Sequence, residues 1–276
     1  MRFIYSLVIT LFFGSILFYF YPEYRDNAKD LFSYQKLQTL EIRHTAEKIM
    51  EKHKRSLLKD SEHSFLEPKL EFHPYLFMDV KYNYKENQTK EGVILWSLVD
   101  GEMVIDANSW EQTHGFTDCI NANTSKDEFR IINALSSRGG SMEKERLVKE
   151  LNIDDSKFSF LVDSCRKKNL VVDNKAQLRL HLQNPKLGVD PETRIDQWLV
   201  TKPAKNAIRI PRKFRVPQIE NTAKSAFGDN NFAIRKSKEI YLPVYSIIVQ
   251  NPDGSQMTTY WNALNGKQIN KNFHEP

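Results

Sequence analysis

Two stretches far apart in the chain carry the same strand end and turn. Trp96-Ser-Leu-Val-Asp-Gly101 and Trp261-Asn-Ala-Leu-Asn-Gly266 align without a gap. Each runs from an aromatic strand position into an Asx-Gly step, which suits a tight turn with a positive φ at glycine. Upstream of each, another strand opens with Tyr-Leu, at Tyr75-Leu76 and Tyr241-Leu242, and Asn251-Pro-Asp-Gly254 marks the turn of the later hairpin. A helix precedes each hairpin in this reading. One covers residues 28–58 and contains Ile42-Arg-His-Thr45-Ala46; the other opens at Ile219-Glu-Asn-Thr222-Ala223 and ends near Gly228. A lone hairpin is marginal in water, so each must bury a face on its helix or pair with the other copy. Trp96 and Trp261 are then sheet-face residues of the core.

This helix-plus-hairpin pattern resembles the PepSY-type domain. The resemblance is carried by Tyr241-Leu-Pro-Val-Tyr245, Asp253-Gly254 and Tyr260-Trp-Asn-Ala-Leu-Asn-Gly266, with Asn262 and Asn265 replacing the Asp and Thr of the family's closing turn. It implies a small α+β binding or regulatory module outside the cytoplasmic membrane, and no catalysis. The chain as a whole is also similar to membrane proteins of chlamydia-type bacteria, which implies no mechanism.

Residues 3–21 contain no charged side chain. As a helix they would span roughly 28 Å, close to a bilayer's hydrocarbon thickness. Aromatic residues at 18–21 replace the small residues of a signal-peptide cleavage site. The expectation is an uncleaved single-pass signal anchor at 1–22, contacting membrane lipid through residues 3–21. Arg2 on one side and Arg25, Lys29 and Lys36 on the other barely bias orientation. An extracytoplasmic soluble part in a bacterial inner membrane is the expected outcome.

The rest is long enough for one large or two small domains, and 27% charged residues with 40% apolar ones suit a folded, soluble portion. A net charge of +5 is compatible with anionic lipid or nucleic acid and selects neither. Two cysteines, Cys119 and Cys165, are too few for a zinc site or a disulfide scaffold. No metal, cofactor or small-molecule substrate is indicated.

Between the repeats, residues 126–182 read as three helices and a hairpin. The apolar positions are Ile131, Ile132 and Leu135; then Leu147, Val148 and Leu151 after a Ser141 cap; then Phe158, Leu161, Val162 and Cys165. Strands 170–172 and 177–182 follow. This order resembles the winged-helix family, whose DNA-binding members insert the third helix into the major groove. Here that helix begins with Asp154, Asp155 and Ser156, and its basic residues, Arg166-Lys167-Lys168, lie at the far end where they complement the helix dipole. The segment holds 12 Lys and Arg against 9 Asp and Glu. Protein contact is therefore expected before DNA reading.

Two further candidates remain. His114, Asp118 and Cys119 lie within six residues, but catalytic sets assemble from distant segments, so a packing loop is the simpler reading and a cysteine-dependent hydrolase the remote one. Arg209, Arg212, Lys213 and Arg215 fall in a proline-punctuated stretch without acids, readable as an anion-binding strip or a charged edge. The sequence thus predicts a membrane anchor (1–22), a first α+β unit (23–120), a winged-helix-like domain (126–182) and a second α+β unit (183–276). The expected role is non-enzymatic binding or scaffolding of a protein or peptide. Lys157, Arg166, Lys167, Lys168, Arg209, Arg212, Lys213 and Arg215 are the candidate contacts, and a DNA-binding transcription regulator is the alternative.

Overall fold

The computed structural model describes residues 36–85, 88–196, 199–203, 207–228 and 232–269. Along the chain these form β1 (Lys36–Leu40), α1 (Ala46–Leu57), β2 (Ser64–Phe65), β3 (Lys69–Lys85), β4 (Gln88–Ser97), β5 (Met103–Asp106), β6 (Glu111–Gln112) and α2 (Phe116–Asn121). Next come α3 (Lys126–Ser136), β7 (Ser141–Glu143), α4 (Lys144–Leu151), α5 (Asp155–Lys167), β8 (Val171–Asn174) and β9 (Gln177–Leu180). The last are β10 (Leu199–Pro203), β11 (Ile208–Arg209), α6 (Val216–Phe227), β12 (Ala233–Gln250), β13 (Gln256–Asn262) and β14 (Gln268–Ile269). A mixed 11-stranded sheet runs β10-β1-β12-β3-β4-β5-β6, with β2, β11, β13 and β14 attached beside it; β7-β9-β8 form a separate three-stranded sheet.

The two long strands β3 and β12 pair antiparallel at the centre, with Leu242 opposite His73, Tyr241 opposite Pro74 and Pro243 opposite Phe72. That register is its own image under a two-fold rotation between His73 and Leu242. The rotation carries Phe72-His73-Pro74 onto Tyr241-Leu242-Pro243, and the surroundings follow. Leu76 faces Trp96 across the first hairpin as Tyr245 faces Trp261 across the second. The Leu98 N–H donates to Pro74 O at 3.0 Å, and the Ala263 N–H to Pro243 O at 3.0 Å. Arg209 pairs in parallel with Phe72, and Thr39 in parallel with Tyr241.

The symmetry also exchanges the helices. The N–H groups of Lys213 and Phe214, just before α6, both donate to Leu98 O in the turn that leaves the first hairpin after β4. Those of Arg43 and His44, just before α1, both donate to Ala263 O in the turn that leaves the second hairpin after β13. Each helix therefore covers the hairpin of the other repeat. Ile49 and Leu57 of α1 pack with Ile247, Val249 and Trp261, and His53 stacks on Trp261 at 4.4 Å. Ile219, Ala223 and Phe227 of α6 join Leu76, Met78, Val80 and Trp96. Thr45 caps α1, and Pro217 starts α6 where its missing N–H costs nothing. Gly101 (φ 75°) and Gly266 (φ 69°) close the two turns against the rings of Phe214 and His44.

The segment from α2 to β9 is built onto the first hairpin only. Phe116 of α2 lies 4.6 Å from Trp96 and 6.1 Å from Phe129 of α3, and Asn133 Nδ2 donates to Ala226 O of α6 at 3.0 Å. One buried cluster runs from Leu76 through Phe129, Leu161 and Cys165 to Leu180.

Several expectations are corrected. The hairpins are not two small PepSY-like units; they share one large sheet and exchange their covering helices. The helix expected over 28–58 is, where described, strand β1 followed by the shorter α1. Ile42 precedes the helix, so the counterpart of Ile219 is Ile49, and both are buried. Tyr75-Leu76 does not correspond to Tyr241-Leu242, which matches His73 and its neighbour Phe72. Residues 3–21 lie outside the described residues. Among those described, no helix is long and apolar enough to cross a membrane, so the described residues contain no candidate span.

A Cβ at Gly101 would sit 2.8 Å from Phe214, whereas one at Gly254, also at positive φ, meets nothing within 4 Å. Gly254→Ala is expected to cost about 1 kcal/mol from backbone strain alone, and Gly101→Ala about 2–4 kcal/mol through added overpacking. Urea unfolding midpoints of the two variants measure the difference.

Candidate partner-binding surface

Helix α5 is set by its cap and its apolar stripe. Asp154 accepts from Lys157 N at 2.7 Å, and Phe158, Leu161, Val162 and Cys165 are buried. Helical spacing puts Lys157, Phe160 and Lys167 away from that stripe. Phe160 is 73% exposed, the most exposed large apolar side chain among the described residues. Lys157 pairs with Asp127 at 3.1 Å and Arg166 with Asp163 at 3.0 Å, so two of the three basic side chains on this surface carry a neighbouring acid. Lys167 is exposed.

Lys168 belongs to the interior scaffold instead. Its Nζ donates to Glu128 Oε2 at 2.7 Å and to Asn123 O at 3.0 Å. The Glu128 carboxylate, 2% exposed, also accepts from Ser164 Oγ at 2.6 Å and from Ser125 N at 2.7 Å. Burial alone would raise the Glu128 pKa, but the bonds from Lys168, Ser164 and Ser125 outweigh it and hold the group below its usual value.

The strip at 209–215 is not a free cationic edge. Arg209 lies over the Tyr241 ring at 5.8 Å, and Arg212 pairs with Glu239 at 3.3 Å. Lys213 lies near the Phe214 ring, and Arg215 precedes α6 with its N–H donating to Gln218 Oε1 at 2.9 Å. These residues tie the segment before α6 to β12 and to the turn at Leu98, and do not extend the α5 surface. The His114 and Cys119 pair offers no activated nucleophile. Cys119 is fully buried, and burial pushes its thiol pKa up, while His114 is exposed. Burial likewise pushes the Cys165 thiol up to about 12.

The sequence reading passed over a cleft of about 630 Å³ where the turns of the two hairpins meet, lined by Asp100, Glu102, Trp110, Lys213, Asn262 and Lys267 among others. Glu102 is committed to structure. Its carboxylate accepts from Gly115 N and Thr117 N at 3.0 Å and from Thr113 Oγ1 at 2.7 Å, fixing the start of α2. Asp100 accepts from Glu102 N at 3.2 Å and Gln112 Nε2 at 3.3 Å. Burial raises both carboxyl pKa values despite these bonds. Only the Asp-Gly and Asn-Gly turns hint at this cleft in the sequence.

No protein-family model, no curated protein and no solved structure matches the chain.

Removing the cation from Glu128 leaves a buried carboxylate short of its partner. Lys168→Met is expected to cost about 2–3 kcal/mol at neutral pH. Because the folded-state pKa is depressed, this stabilisation is present above the unfolded-chain value and fades as pH falls through the folded value. The stability gap between the variant and the parent chain, measured by denaturant titration at pH 7 and in acid, should narrow in acid.

Proposed function

We propose that this chain is a non-enzymatic binding protein that docks a folded protein partner through the outer face of α5. The order α3, β7, α4, α5, β8, β9 supports the winged-helix resemblance, and in that family the third helix is the recognition element. Exposed Phe160 carries the reading. An aromatic ring left in water at the middle of a recognition surface gains most from a partner that desolvates it, and aromatic anchors dominate protein interfaces.

The charges around Phe160 favour protein over nucleic acid. Affinity for DNA depends on unpaired cations meeting phosphates. Here Lys157 and Arg166 already have carboxylate neighbours, and Asp154 and Asp155 open the helix. The partner that fits is a protein with an apolar pocket for one ring and a mixed-charge rim.

A photo-crosslinking residue at Ser159 would trap that partner, and isothermal titration would give its affinity for the full chain. Phe160→Asp is expected to weaken it about 30-fold or more, equivalent to about 2 kcal/mol, with the circular dichroism spectrum unchanged. An unchanged affinity would overturn the reading. So would steeply salt-dependent binding to duplex DNA that is lost on reversing Arg166 and Lys167.

A further inference from the structure

We propose that the cleft between the two hairpin turns binds an organic carboxylate carried on an apolar body. This site is separate from the α5 surface and does not rest on that reading.

The inference starts from a donor the fold does not use. Asn262 is fully buried, and its Oδ1 accepts from Leu264 N at 2.8 Å to hold the second turn. Its Nδ2 has no hydrogen-bond partner among the described residues. The symmetry-related position is Ser97, whose single hydroxyl accepts from Val99 N and Asp100 N, both at 3.2 Å. A hydroxyl is thus enough to close this turn. The amide at 262 adds a donor that turn-closing does not require, and a buried unsatisfied donor costs about 1–3 kcal/mol. The same cleft is lined by Trp110, whose indole N–H is turned to the buried Tyr75 hydroxyl. The Asn262 amide therefore remains as the one N–H donor that awaits an acceptor.

The charges lining the cleft set the ligand's sign. Lys186 and Glu111 neutralise each other, and burial works against the charged forms of Glu102 and Asp100. Lys213 and Lys267 have no ion-pair partner among the described residues. Lys267 occupies the position symmetry-related to Glu102: Asn262 N donates to Lys267 O as Ser97 N donates to Glu102 O, both at 2.9 Å. What remains for a ligand is two cations and one neutral donor, which suit a single negative charge. A phosphate dianion fits less well. The cleft offers no arginine fork, and the amides opening α2 are taken by Glu102. Val99, Trp110 and Ile269 supply the apolar wall, and the volume lies in the range of small-molecule sites.

The test is a ¹H–¹⁵N titration of the full chain with phenylacetate, phenylacetamide and inorganic phosphate. The chain has four tryptophans, so the Trp110 indole signal is assigned by its loss in Trp110→Phe. Phenylacetate is expected to shift the Trp110 indole and the Asn262 side-chain amide saturably, and phenylacetamide and phosphate should bind at least tenfold more weakly. Asn262→Asp keeps the turn acceptor while removing the donor, and should weaken phenylacetate about tenfold or more. Lys267→Glu, on the exposed rim, should weaken it several-fold and decides the matter if the buried substitution impairs folding. The proposal is overturned by the absence of a saturable shift, by shifts that persist unchanged in Lys267→Glu, or by phosphate or the amide binding as tightly as the carboxylate.

Discussion

The antiparallel pairing of β3 with β12 at His73 and Leu242 is the constraint from which the rest of the architecture follows. A slip of one residue would turn every side chain of one strand to the opposite face. Either Leu76, Met78 and Val80 of β3 would leave α6, or Ile247 and Val249 of β12 would leave α1. The register also fixes where each leading segment can dock, because Arg209 reaches Phe72 and Thr39 reaches Tyr241 only when the two strands are so aligned. Pro74 and Pro243, which have no N–H to offer a ladder, occupy equivalent positions and still accept from Leu98 and Ala263. Since each helix covers the other repeat's hairpin, neither half has a complete core alone. The exchange makes the two halves one cooperative body.

Where the two halves differ, the differences are chemical and local. Glu102 in the first half reaches the opening amides of α2, and α2 brings Phe116 onto Trp96 and α3 behind it. One carboxylate thus anchors the inserted helical module. Lysine at the equivalent position, Lys267, anchors no such element among the described residues and lines the cleft. Ser97 and Asn262 form a second such pair: the hydroxyl is spent on its turn, and the amide keeps a donor in reserve. His44 and Phe214 differ as well, yet both rings perform the same task of closing over a turn glycine.

Much of the local structure is legible in the sequence, and the misreadings have physical causes. The turns ending at Gly101 and Gly266 are announced by Asx-Gly steps, and the stripe Phe158, Leu161, Val162, Cys165 marks the buried side of α5. Ser141 reads as a helix cap, yet it opens β7, which pairs with β9; the pairing partner lies too far along the chain to be visible locally. The I-x-x-T-A identity aligns Ile42 with Ile219, but Thr45 is the N-cap of α1, so burial aligns Ile49 instead. The shared Tyr-Leu pair misaligns the long strands for a similar reason. Proline at 74 and 243 was the truer guide, because backbone pairing restricts proline more than packing restricts an aromatic. Of the eight basic residues singled out, Lys157, Lys168 and Arg212 are held by carboxylates that a linear reading could not assign to them. The cleft is legible only in three dimensions, because an unpartnered amide is defined by what surrounds it.

Helix α6 joins the two surfaces. At its start, Lys213 lines the cleft and the Lys213 and Phe214 amides grip the first turn. At its end, Ala226 accepts from Asn133 of α3, and Phe227 packs against Phe116 at 6.1 Å. A 12-residue helix is a rod of about 18 Å, and this one is clamped at both ends by backbone hydrogen bonds and aromatic packing. A helix held this way moves as a unit or not at all, so the spacing between cleft and helical module is set by its length. Asn262 belongs to β13 and Phe160 to the outer face of α5. Both lie off that rod, so each surface has a residue that can change its chemistry without disturbing the strut between them.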